Sequence, residues 1–103
     1  MNKPTRSIAA LLTVMLDNID LIKNQSYSPR GLCSLNMSLN TKEIITYLEY
    51  DLLENFIDNN RPKFLHKHYD ITHANSCYYW KQYVKKPRIK WLKYHIKNER
   101  NKE

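Results

Sequence analysis

Residues 5–23 read TRSIAALLTVMLDNIDLIK, and this stretch decides the fold class. Ile8, Leu12, Met15, Ile19 and Ile22 recur at i, i+4, i+7, i+11 and i+14. That is one stripe of a 3.6-residue period, and Leu11 and Leu16 widen it. Asp17 and Asp20 carry the polar side. The spacing predicts a helix over 5–23, opened by Pro4 and Thr5 and ended before Pro29, which has no N–H to continue it.

The same period returns three times downstream. Leu32, Leu35 and Leu39 predict a short helix over 32–39, entered through Gly31, the only glycine in the chain. Asn40 or Thr41 is a suitable N-cap, and Glu43 three residues after Asn40 completes a capping-box pattern. A helix over 41–59 follows. Its expected core stripe is Ile45, Leu48, Leu52 and Phe56, with Ile44, Leu53 and Ile57 beside it, and Glu43, Glu49, Asp51, Glu54 and Asp58 make an acidic outer face. Pro87 suits the first position of a last helix, 87–100, whose Ile89, Leu92 and Ile96 face inward. Residues 63–85 have no clear period. They read as an aromatic-rich loop or, at Tyr78–Val84, a short extended segment with no partner strand. The expectation is a mainly α, single-domain bundle of about four helices spanning 1–103. The first and third helices supply most of the core, and 98–103 is a frayed tail.

The totals fit this reading. A chain of 103 residues makes one domain with one modest core. A single glycine excludes the Gly-rich phosphate loops. Cys33 and Cys77 do not form a disulfide framework and read as free thiols of a reducing cytoplasm. Cys33 reads as a small apolar group, because no base stands near it in sequence. Lys3 and Arg6 before Ile8–Leu16 imitate the start of a signal peptide, but no A-x-A site follows. No run reaches the ~20 apolar residues of a membrane span. A soluble, cytoplasmic protein with no membrane contact is expected.

Charge is distributed unevenly. Residues 1–80 hold eight Lys/Arg and eight Asp/Glu, so the whole formal charge of +7 lies in residues 81–103. Lys86, Lys90, Lys93, Lys97 and Arg100 repeat at i, i+4, i+7, i+11 and i+14. On a helix they form one stripe about 80° wide, with Trp91 and Tyr94 on a flank. Eight of the twelve aromatics fall between Phe64 and Tyr94. The candidate binding face is therefore Lys86, Arg88, Lys90, Lys93 and Lys97 with Tyr79, Trp80, Trp91 and Tyr94. Such a face suits an acidic partner: an acidic protein first, a nucleic acid or nucleotide as the alternative. The competing reading makes the aromatics core and the lysines mere solubilising charge. Few arginines argue against base-specific readout. A third class is self-assembly, in which the acidic face at Glu43–Asp58 attracts the basic helix within or between chains.

Two chemical constellations are weaker. His66, His68, His73 and Cys77 place four zinc-type donors in twelve residues, but the spacing matches no common finger. No metal or cofactor is expected. His68 with Asp70, or Cys77 with His73, could in principle serve hydrolysis. No spacing singles out a nucleophile or an oxyanion hole, so the reading is a protein that is not an enzyme.

Three short motifs occur in order: Arg30-Gly31-Leu32-Cys33, Tyr78-Tyr79-Trp80 and Arg88-Ile89-Lys90-Trp91-Leu92. Over residues 30–96 this order resembles a family of small proteins of tailed bacteriophages and prophages, with the pattern R-G-[IL]-C, Y-W-W, a proline-glycine turn, then R-x-x-W/F-L. The second tryptophan is missing here, and Lys81-Gln82-Tyr83 replaces the turn. The resemblance implies a setting. Small phage proteins of this kind often bind and inhibit host enzymes or defence systems, or sequester a signalling molecule. The implied function is a non-catalytic accessory protein that binds a host or anti-phage defence component in the host cytoplasm.

Overall fold

The computed structural model describes residues 4–21, 30–61 and 85–103. Among them all regular structure is helical: α1 (Ile8–Asp17), a single 3-10 turn (Ile19–Leu21), α2 (Arg30–Thr41), α3 (Tyr47–Asn59) and α4 (Lys86–Asn101). The mainly α bundle is as expected. Its boundaries differ from the expected ones, and each difference has a local cause.

The first helix begins after Ser7, not at Thr5. The Ser7 hydroxyl accepts the Ala10 N–H at 3.2 Å, an N-cap bond. Thr5–Ser7 stay non-helical, and within them Arg6 is fixed in place by Glu49. At the other end the Asn18 side chain donates to the Val14 carbonyl at 2.8 Å, which competes with continued helix. One 3-10 turn then carries Ile19 into the core.

The second helix is longer than 32–39, and Gly31 lies within its helical backbone, not in a turn leading into it. Leu32, Leu35 and Leu39 are buried as their spacing predicts. Asn36 is buried among them. Its amide donates to the Tyr50 carbonyl and to Glu54 Oε1, both at 3.0 Å, tying α2 to α3.

The expected capping box at Asn40 and Glu43 does not form, because α2 continues through Thr41. Glu43 instead takes the left-handed conformation, φ 60°. Its N–H bonds to the Asn40 carbonyl at 3.0 Å, and the Ile44 N–H bonds to the Leu39 carbonyl at 2.9 Å. This is the Schellman closure that glycine normally makes. The capping box lies six residues later. Thr46 Oγ1 accepts the Glu49 N–H at 3.1 Å, and Glu49 Oε1 accepts the Thr46 N–H at 2.9 Å.

That shift rotates α3. Its buried positions are Glu49, Leu53 and Ile57, with Ile45 buried just ahead of the helix. Leu48 and Leu52, expected in the core, are 59% and 42% exposed, and Phe56 is half-buried. Glu49, expected on the acidic outer face, is 2% exposed. The core is also shared more evenly than expected. Leu11, Leu12 and Met15 of α1 meet Leu32, Leu35 and Leu39 of α2, Leu53 and Ile57 of α3, and Leu92 and Ile96 of α4. Helix α4 packs chiefly along α1, and α2 along α3. The expected loop or extended segment at 63–85 lies outside the described residues except at Lys85.

Candidate partner-binding face

Helix α4 begins with Pro87 in its first turn, where a missing N–H is harmless, and runs to Asn101, so Asn98–Asn101 are helical. Arg88, Trp91, Leu92 and Ile96 are its buried residues. With that side committed to the core, Lys86, Lys90, Lys93, Lys97 and Arg100 all stand exposed along the opposite crest. The predicted lysine stripe exists as a surface. Beside it Tyr94 is 62% exposed.

Two members of the predicted face are not on it. Arg88 is 1% exposed. It lies four residues before Leu92, on the buried side and away from the crest, and burial lowers its guanidinium to about 10, still charged at neutral pH. Trp91 is also buried. Its Nε1 donates to the Asn60 carbonyl at 3.0 Å, and its ring meets Phe56 edge-on at 6.0 Å. The indole therefore joins the end of α3 to α4 and is not an open stacking platform. Tyr79 and Trp80 lie outside the described residues, as do His66, His68, His73 and Cys77. Among the described residues no group of three or more His, Cys, Asp or Glu is placed to hold a metal.

The crest has a recess on each flank. Toward α3 there is a cleft of about 1010 Å³. Asp58, Asn59, Asn60 and Arg61 form one wall, and Lys86, Lys90, Trp91, Tyr94 and His95 form the other. Toward α1 a smaller groove of about 370 Å³ lies against Thr13, Leu16, Lys93 and Lys97. Lys85, just before α4, pairs with Asp20 at 2.9 Å, and Arg100 donates to Thr13 Oγ1 at 3.5 Å. These contacts lie near the two ends of α4, whose apolar side packs along α1.

His95 is part of the cleft wall. Its ring packs tilted against Trp91 with centroids 4.5 Å apart and meets Phe56 and Tyr94 edge-on at 5.3 and 5.0 Å. Burial lowers its pKa, and Lys102 adds to the lowering while Glu99 opposes it. The neutral ring is thus the favoured form, and the positive charge of the site comes from lysine and arginine. The α3 wall of the cleft was missed in the sequence, where Asn59-Asn60-Arg61-Pro62 signals only a helix end.

Cys33, the one cysteine within the described residues, is a free and half-buried thiol. Burial, and then the charges of Glu54 and Asp58, push it up to about 11. It is not an activated nucleophile. Comparison with protein-family models, with curated proteins and with solved structures returns no match, so the geometry of the face carries the functional argument.

Proposed function

We propose that this chain is a non-catalytic binding protein that presents the crest of α4 to an acidic protein. The carrying observation is the row of five exposed cations with Tyr94 beside them, on a helix packed along α1 and bordered by the aromatic cleft. Carboxylates one helical turn apart on a partner meet the lysines at matching intervals of about 6 Å. Tyr94 and the cleft wall offer the partner an apolar anchor, the kind of contact that concentrates binding energy. The resemblance of Arg30–Cys33 and Arg88–Leu92 to phage proteins supplies the setting: a host or defence component, inhibited or redirected in the host cytoplasm. No helix among the described residues is long and apolar enough to cross a membrane.

A nucleic acid or nucleotide is the second reading, and the lysine row alone would serve it. Two observations favour protein. Trp91 is used internally, which leaves Tyr94 as the exposed aromatic of α4, and Arg88 is buried, which leaves Arg100 as the exposed arginine of that helix. Stacking and bidentate contacts are the means by which single strands and bases are held.

The test uses the full chain and the variant K90E/K93E/K97E as paired baits in bacterial lysate, with and without nuclease. The expected result is a protein captured by the first, absent from the second and indifferent to nuclease. Equal capture by both baits removes the crest from the interaction. Recovery of nucleic acid alone, lost as salt rises, transfers the reading to nucleic acid.

A further inference from the structure

The outer face of α3 is apolar and acidic at once. Tyr47, Leu48 and Leu52 are 69%, 59% and 42% exposed, and Ile44, in the turn before α3, is 37% exposed. The inner side is already filled by Glu49, Leu53 and Ile57. Solvated side chains explain isolated exposed leucines, but here they lie on consecutive turns of one helix. Along the same face run Asp51 and Asp58, both exposed, with half-buried Glu54 between them. Helix α3 contains no lysine or arginine.

We infer that this face docks onto α4 of a second copy of the chain, and that the pairing occupies the same lysine crest that the proposed acidic partner uses. The argument is one of charge and register. Asp51, Glu54 and Asp58 stand at i, i+3 and i+7, and Lys90, Lys93 and Lys97 repeat that interval on α4. Both rows span two turns, about 10.5 Å. Set side by side in parallel they meet residue for residue, and antiparallel they differ by one residue at the centre. Each row has an apolar flank, Leu48 and Leu52 on α3 and Tyr94 on α4. Among the described residues Lys90, Lys93 and Lys97 make no ion pair within the chain.

Other occupants fit less well. A second α3 would bring Asp51 and Asp58 against their own kind, and like charges repel. Within one chain α3 meets α4 through Phe56 against Trp91 and His95, and Asp58 and Lys90 stand on opposite walls of the open cleft without forming an ion pair. A two-fold pair of chains makes the α3–α4 contact twice and closes. The second clause of the inference rests on the proposed partner reading; the first stands without it.

The experiment is sedimentation equilibrium of the full chain over a wide concentration range at low and high salt. The expected mass rises from the 12.5 kDa monomer to twice that value, and the dissociation constant increases with salt. Asp51→Lys, and separately Leu48→Ser with Leu52→Ser, weaken the association about ten-fold or more, the scale of a lost close charge pair or apolar anchor. D51K/D58K mixed with K90E/K97E forms a heterodimer, because both of its interfaces are complementary while both interfaces of each homodimer carry repulsive pairs. Circular dichroism of each variant checks that the helices persist. Monomer mass at every concentration overturns the inference, as does an association indifferent to D51K. Partner capture is read at dilutions where the chain is monomeric. There D51K retains capture and K90E/K93E/K97E loses it, so failure of the partner reading is seen independently of self-association.

Discussion

Arg6 holds Glu49 with three hydrogen bonds across 43 residues of sequence: its backbone N–H at 3.0 Å and Nε at 2.8 Å both reach Oε2, and its Nη2 reaches Oε1 at 2.9 Å. A fourth bond runs from Nη2 to the Ile44 carbonyl at 3.1 Å. The carboxylate is buried while the guanidinium is partly open to water. One residue thus ties the extended chain before α1 to the turn and first helical residues of α3. Arg6→Ala leaves a buried carboxylate with its capping-box bond and the backbone N–H of residue 6 but no cation. The expected loss is about 2 kcal/mol, below the figure for fully buried pairs because Arg6 is half in water. A shift of the urea midpoint at unchanged slope is the readout; no shift would show the pair to be energetically idle.

The same pair sets the acid limit of the fold. The Arg6 hydrogen bond, assisted by the N–H groups of Thr46 and Arg6, overcomes the cost of burial and holds Glu49 at about 2, against 4.5 for an ordinary glutamate. A depressed carboxylate stabilises the folded chain above its unfolded value and loses that contribution as the pH falls through its folded value. Stability therefore drops between about pH 4.5 and pH 2, by on the order of 2 kcal/mol after allowing for the partial exposure of Arg6. His95, depressed by burial, works in the same direction, since the unfolded chain binds its proton more readily. Melting curves across this range test the sign. In Arg6→Ala the acid-dependent drop becomes shallower.

Glu43 offers a gain. It occupies the left-handed position of a Schellman closure, where a Cβ costs about 1 kcal/mol or more and glycine costs nothing. Glu43→Gly keeps both backbone bonds and removes the strain, partly offset by a more flexible unfolded chain. A net stabilisation of about 0.5 to 1 kcal/mol is expected by chemical denaturation. Glu43→Ala, which keeps the Cβ, gains nothing.

These residues also show what the sequence could and could not disclose. The stripe Leu12, Met15, Ile19 and the crest Lys86 to Arg100 are legible because a single helix decides them: the period alone assigns their faces. Helix α3 is different. Leu48 and Leu52 form one apolar row and Leu53 and Ile57 another, so hydrophobicity cannot choose the inner one. The choice is made by Arg6 and by the turn at Glu43, contacts that join distant parts of the chain. One local signal was available, because Ile45, Glu49, Leu53 and Ile57 are spaced by four and place a carboxylate in the middle of an apolar row. Arg88 was assigned to the binding face by its charge, although its angle, one turn before Leu92, puts it on the inside. The aromatic, histidine and cysteine positions between 62 and 84 fall outside the described residues.

Arg88 and the lysine crest therefore separate folding from binding on one helix. Arg88→Glu places a carboxylate where a buried cation stood. The expected loss exceeds about 2 kcal/mol, because a mismatched buried charge is among the costlier substitutions. K90E/K93E/K97E changes the net charge by six on the exposed side of the same helix and touches no buried contact. Its expected effect on the melting temperature is small, since exposed charges away from specific contacts shift stability by about 0.5 kcal/mol or less, and its effect on partner capture is complete. Thermal melts and the paired-bait capture decide between the two roles. A triple variant that melts like Arg88→Glu would mean that the crest is part of the fold and not a free face. An Arg88→Glu chain that stays folded and loses its partner would return Arg88 to the binding site.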